Sequence, residues 1–124
     1  MPHVHLVLDT SAIVAYARTV DVGETIGQVS ENSAQFALPV ACLVEASAQV
    51  GADLLAGLVA HPAAVVVDLG GADWRVLAAM RAALGSLSAA EALHAAERYG
   101  CNILTDEPGR YAVLGDDPPI ITLG

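Results

Sequence analysis

Three observations predict an α/β fold with a mainly parallel central sheet in three α/β/α layers. Short apolar strands alternate with helical stretches along the whole chain, which calls for parallel strands joined by right-handed crossovers. A β-branched run at residues 64–68 is bounded by Pro62 and Gly70-Gly71, as strands are. The first strand ends on an acid, Asp9, and a later one runs into Asp106-Glu107. With 124 residues and no linker, repeat or low-complexity tract, the chain is expected to be one domain, 1–124.

Val4-His5-Leu6-Val7-Leu8 reads as a short buried strand that stops at the Asp9 carboxylate. In open parallel sheets ligands sit beyond the carboxyl ends of the strands, so Asp9 is placed for chemistry; its plainer role is to cap the next helix. Thr10 or Ser11 can also cap that helix, expected over 11–19. Asp21-Val22-Gly23 is expected to break it, and 24–30 fits a second short helix. Residues 35–38 form a strand ended by Pro39. Proline is tolerated in a helix's first turn, so 40–49 can follow as a helix. Its residues Val40, Leu43, Val44 and Ser47 recur at helical spacing, with Glu45 among them.

After Gly51-Ala52-Asp53, residues 54–60 give another helix, closed by His61-Pro62. Beyond the 64–68 strand, Asp73 opens an amphipathic helix to Leu84. Trp74 is expected there as a core or packing anchor rather than a base-stacking platform. Ser88 with Glu91 three residues later forms a capping box for a helix that stops at Gly100. Residues 102–105 are a strand, and 118–123 a short edge strand behind two prolines.

Composition narrows the function. No apolar run approaches the roughly 18 residues that span a bilayer, so no membrane is expected. The N-terminus has no basic region followed by an apolar one, which predicts a cytoplasmic protein. Cys42 and Cys101 lack metal-ligand spacing and read as free thiols in a reducing compartment. The basic residues are five arginines against fourteen acids, a net charge of −9, which excludes sequence-independent electrostatic binding of nucleic acid. A phosphate substrate would need bound cations, or arginines from a partner.

In a parallel sheet both strand-end acids point the same way, so Asp9 and Asp106-Glu107 converge if their strands are neighbours. Glu45 and Glu91 lie early on helices that follow a strand or a strand-like turn, and can project to that edge. Four carboxylates in one cleft repel unless divalent cations neutralise them, and hard oxygen ligands suit Mg²⁺ or Mn²⁺. Such ions activate water and stabilise the leaving oxygen in phosphodiester hydrolysis. Singly, each acid has a plain role: Glu91 in the capping box, Glu45 and Glu107 as surface charges.

These residues resemble a known family. Val7-Leu8-Asp9-Thr10-Ser11-Ala12 is similar to the opening motif of PIN domains, the fold of VapC-type toxin ribonucleases. The stretch from Phe36 to Glu45 resembles their strand–Pro–helix segment with its second acid. Ala89-Ala90-Glu91-Ala92-Leu93-His94-Ala95-Ala96 through Gly100-Cys101-Asn102-Ile103-Leu104-Thr105 matches their late helix-and-strand block. The resemblance implies Mg²⁺ or Mn²⁺ held by Asp9, Glu45, Glu91 and one of Asp106 or Glu107. Ser11 and Thr105 would orient carboxylates or water. It implies an RNA substrate, a small antitoxin that inserts a basic side chain among the acids, and a homodimer. Two departures stand out: Glu91 occupies a position usually held by Asp, and the fourth acid, usually two residues after the Thr, falls on Glu107. The alternative is therefore a catalytically degenerate member that acts as a protein-binding module.

Other candidates carry less. Glu91 and His94 share a helix face, but a single Glu-x-x-His lacks the second copy that di-iron bundles need. His3 and His5 share one face of the first strand; a structural role is the default there, with an N-terminal metal clip as the other option. A receiver domain would need a lysine, and this chain has none. A haloacid-dehalogenase-type phosphatase needs Asp-x-Asp, where this chain has Ser11. Gly70-Gly71 fits no phosphate-binding loop.

Overall fold

The computed structural model describes residues 3–19 and 21–123. Strands β1 (Val4–Leu8), β2 (Gln35–Pro39), β3 (Ala64–Val67), β4 (Asn102–Thr105) and β5 (Ile120–Thr122) form one parallel sheet in the order β3-β2-β1-β4-β5. Between them run α1 (Thr10–Arg18), α2 (Asp21–Glu31), α3 (Val40–Val50), α4 (Ala52–Val59), α5 (Trp74–Leu84) and α6 (Leu87–Tyr99). The chain moves outward from β1 to β2 and β3, then crosses back to β4 and β5 on the other side of β1. Right-handed crossovers with that reversal put α1 to α4 on one face and α5 and α6 on the other. The expected three-layer α/β/α arrangement with a parallel sheet is the one observed.

Strands covered on both faces read as continuous apolar runs, and β1 and β2 do: Leu6, Val7, Leu8, Phe36, Ala37 and Leu38 are all buried. Helix α6 packs on β1, β2, β4, α3 and α5. Its buried Ala89, Ala90, Ala92, Ala95 and Ala96 are small enough to let those elements approach closely. Strand β5 lies at the sheet edge, where the missing N–H of Pro119 removes no bond from the interior of the ladder. Among the described residues, no single helix is long and apolar enough to cross a membrane.

Several boundaries differ from expectation for local reasons. Helix α1 starts at Thr10 because Asp9 is its N-cap, accepting the Ala12 N–H on Oδ1 at 3.0 Å. Asp21-Val22-Gly23 opens α2 instead of breaking the chain, since Val22 is fully buried and anchors that first turn. The capping box at Ser88 does not form. Gly85 turns left-handed at φ 80°, so Ser86 is already extended and caps α6 by accepting the Ala89 N–H at 3.1 Å. Ser88 then falls inside the first turn. Trp74 is 61% exposed and not a core anchor, because Leu77 and Leu84 take the inward face of α5. A 3-10 segment, Pro108–Leu114, follows β4 where the sequence pattern offers only a turn.

Candidate functional site

Asp9 leaves the carboxyl end of β1 beside β4, at the point where the strand order reverses. That is where open α/β sheets leave a crevice for ligands. The carboxylate is 4% exposed and closely held. Oδ1 accepts the Ser11 hydroxyl at 2.7 Å and the Ala12 N–H at 3.0 Å, while Oδ2 accepts the Tyr111 hydroxyl at 2.8 Å. Ser11 Oγ also takes the Asp106 N–H at 2.8 Å and lies 3.2 Å from Thr105 Oγ1, which in turn accepts the Glu107 N–H at 2.9 Å. Each hydroxyl has one proton. Ser11 spends its proton on Asp9, so Thr105 must donate to Ser11. Both hydroxyl protons therefore point towards the carboxylate, and the chain ends on an acceptor. The same bonds tie the end of β4 to the start of α1.

Tyr111 is the residue on this cleft that the sequence pattern missed. It is fully buried in the 3-10 segment after β4. Burial, and then the Asp9 charge and the hydrogen bond to it, push its phenol well above the usual tyrosine range, so it stays a donor. The only signal available was an aromatic residue shortly after the last acids.

Asp9, Glu45 and Glu107 line one cleft of about 160 Å³, together with Ser11, Arg110 and Tyr111. Glu45 reaches it from α3, and Glu107 and Arg110 from the chain after β4. Arg110 Nη2 lies 3.5 Å from Glu107 Oε2, and its Nη1 is 3.5 Å from the Leu84 carbonyl at the end of α5. Asp106 is exposed and is not on the cleft wall; its backbone, not its carboxylate, serves the site. Of the two candidates for the fourth acid, Glu107 is the one facing the cleft.

Glu91 is not on that wall either. It is 3% exposed, and its Oε1 accepts the Ala41 N–H at 2.9 Å. Pro39 cannot cap α3 with a side chain, so a carboxylate from α6 does so from across the fold. Glu91 Oε2 is buried without a hydrogen-bond partner, beside a small cavity it shares with Asp68, Asp73 and His94. His94 Nε2 is 3.3 Å from Asp73 Oδ2, so the histidine is engaged away from the Asp9 cleft.

Burial holds the Glu91 carboxyl above its usual value of 4.5, against the pull of the Ala41 amide, and the Asp68 charge adds to the rise. The folded chain thus binds this proton more tightly than the unfolded chain. Its contribution to stability is present at low pH and is lost as pH rises above the usual glutamate range. Glu91→Gln keeps an acceptor for Ala41 and removes the charge. Its stability in urea is expected to gain on wild type as pH rises from about 4, and the gain to level off once Glu91 is ionised in the folded chain too. Parallel curves for the two proteins would contradict this account of Glu91.

No family model matches the chain, and no curated protein does either. The chemistry has to come from the residues themselves. Among the described residues, no group of three or more His, Cys, Asp or Glu side chains is close enough to enclose a metal ion. Mg²⁺ does not require such a cage: it keeps several waters and binds through one or two carboxylates plus a substrate phosphate. A carboxylate offers about four lone-pair positions. Three on Asp9 are taken, which leaves one on Oδ2 for a ligand. Glu45 and Glu107 add hard oxygens on the same wall. The donor set fits one hydrated divalent ion, and not a cluster of four carboxylates.

Proposed function

We propose that this protein is a Mg²⁺- or Mn²⁺-dependent ribonuclease of the PIN/VapC type, acting on RNA phosphodiester bonds in the cytoplasm. The observation that carries the reading is Asp9: an acid at the strand-order reversal, held by Ser11, Ala12 and Tyr111, opening on a cleft with Glu45 and Glu107. Asp9, with Glu45 or Glu107 beside it or acting through the ion's waters, would hold the ion. When bound, it would polarise the scissile phosphate and make water a better nucleophile. The chain's own residues do the rest. Ser11 donates to Asp9 and Thr105 donates to Ser11, so the two hydroxyls together orient the carboxylate. Tyr111 fixes the plane of the carboxylate. Arg110 supplies a cation on the cleft wall, suited to a phosphate oxygen once it leaves Glu107.

The reading is tested by incubating single-stranded RNA with the protein in Mn²⁺ and in EDTA. Cleavage should require the ion and fall by roughly tenfold or more in Glu45→Gln/Glu107→Gln, where two carboxylate charges are gone. Cleavage in EDTA, or an unaffected double variant, would overturn it.

A second reading has its own observation. Arg110 already pairs with Glu107 in the cleft, and Glu91 is occupied at Ala41. Exposed Val44, Leu69, Trp74 and Leu87 line apolar grooves that continue from the Glu45 side of the cleft. This pattern suits a domain that no longer cuts and instead binds protein. An antitoxin-like segment with a basic side chain, or a second copy of the chain, is the partner the family resemblance supplies. Absence of any Mn²⁺ effect on cleavage or stability would favour this reading.

A further inference from the structure

At the opposite end of β1 from Asp9, two imidazoles converge. His3 stands just before β1 and His5 within it, and both side chains are exposed. Between and beyond them Val4 and Leu6 are buried, which fixes the direction in which the histidines point. The backbone at His3 is pinned as well, since its carbonyl accepts the Gln35 N–H at 2.9 Å.

The register adds a second feature. Val4 pairs with Gln35 and Leu6 with Phe36, so one extra residue, His5, is inserted into β1 opposite β2. Bulges of this kind re-aim a side chain, and they are uncommon in parallel pairs. His5 Nε2 meets His3 Nε2, with the ring centroids 4.1 Å apart and the planes at 70°. A neutral imidazole has one ring nitrogen that accepts, so the pair brings two nitrogen donors to one place.

From this we infer that His3 and His5 form a two-nitrogen chelate for a borderline transition-metal cation of the Cu²⁺, Ni²⁺ or Zn²⁺ class. Imidazole nitrogen suits these ions, and the general affinity order puts Cu²⁺ first. The hard ions suited to the acidic cleft prefer oxygen, so the two ends of β1 select different metals. No third His, Cys, Asp or Glu is close enough among the described residues to complete a closed site. The remaining coordination positions therefore go to water or to an outside donor, and the ion stays exchangeable. This inference does not depend on the ribonuclease reading.

The test is a titration of the full, untagged chain with Cu²⁺ alone, followed by calorimetry and by electron paramagnetic resonance. One equivalent should bind and show splitting from two nitrogen nuclei. Removing even an outer-shell partner of a metal site costs roughly tenfold in affinity, so His3→Ala and His5→Ala should each weaken binding by at least that factor. Both side chains are exposed, so the variants should keep the wild-type circular dichroism. Asp9→Asn should bind Cu²⁺ as wild type does. Undiminished binding in His3→Ala/His5→Ala would place the ion elsewhere, at Cys101 or a carboxylate, and would overturn the inference. Failure of the wild-type chain to bind, or loss of binding in Asp9→Asn, would overturn it too.

Discussion

Asp9→Asn is expected to remove both the metal-dependent cleavage and the Mn²⁺ stabilisation that the proposed reading expects of the wild-type chain. An ion that binds only the folded state, at about 100 times its dissociation constant, adds roughly 2.7 kcal/mol. For a chain of this size that raises the unfolding midpoint by on the order of 10 °C. Asparagine is as good an N-cap as aspartate, so α1 should survive the substitution. What changes is the charge and one acceptor. The amide oxygen can serve Ser11 and Ala12, which leaves Tyr111 facing an NH₂ group, at a cost of about 1–3 kcal/mol in the absence of metal. Cleavage should drop by about a hundredfold or more, since stabilisation of transition-state charge by a bound ion is worth several kcal/mol. Thermal unfolding with and without Mn²⁺, beside an RNA cleavage assay, separates the two effects. An Mn²⁺ shift as large in Asp9→Asn as in wild type would move the metal away from this cleft.

Tyr111→Phe is expected to cost about 1.5–3 kcal/mol, the range for a hydrogen bond to a charged group. The ring is fully buried, so phenylalanine keeps the packing and loses only the donor to Asp9 Oδ2. Tyr111→Ala adds a cavity and should cost about 3–5 kcal/mol, enough to threaten the fold of a marginally stable domain. Chemical denaturation reads both. The Phe variant should still be stabilised by Mn²⁺, because it frees a second position on Oδ2 for the ion. An undiminished unfolding midpoint in Tyr111→Phe would show that the phenol does not hold Asp9 in solution.

The two sets of substitutions address different layers of the site. Asp9 and Tyr111 share one hydrogen bond, so their effects should not add. Glu91 acts on the start of α3 through Ala41, a separate connection, and its pH dependence should persist when Asp9 is changed.

Much of this architecture was legible in the order of residues. Alternating apolar strands and helices dictated a parallel three-layer sheet, because strands buried on both faces must be apolar throughout and crossovers have one hand. Asp9 at a strand end, followed by a helix, marked the cleft for the same reason. Local caps were less secure. Ser86 and Ser88 are both good N-caps, and only the left-handed turn at Gly85 chose between them. Trp74 carried an apolar label that the packing of Leu77 and Leu84 made unnecessary.

What the sequence determined by itself was the fold class and the position of one acid. Which acids meet that one was decided by the tertiary structure, because convergence depends on how α3, α6 and the chain after β4 pack, and no local pattern encodes that. Glu45 and Glu107 reached the cleft. Glu91 was turned to cap α3 because proline left that helix without a side-chain cap, and an unpaired N–H at a helix start attracts a nearby carboxylate. Tyr111 entered the site from a segment with no periodicity to read. Burial gave its hydroxyl one place to donate, and that place was Asp9.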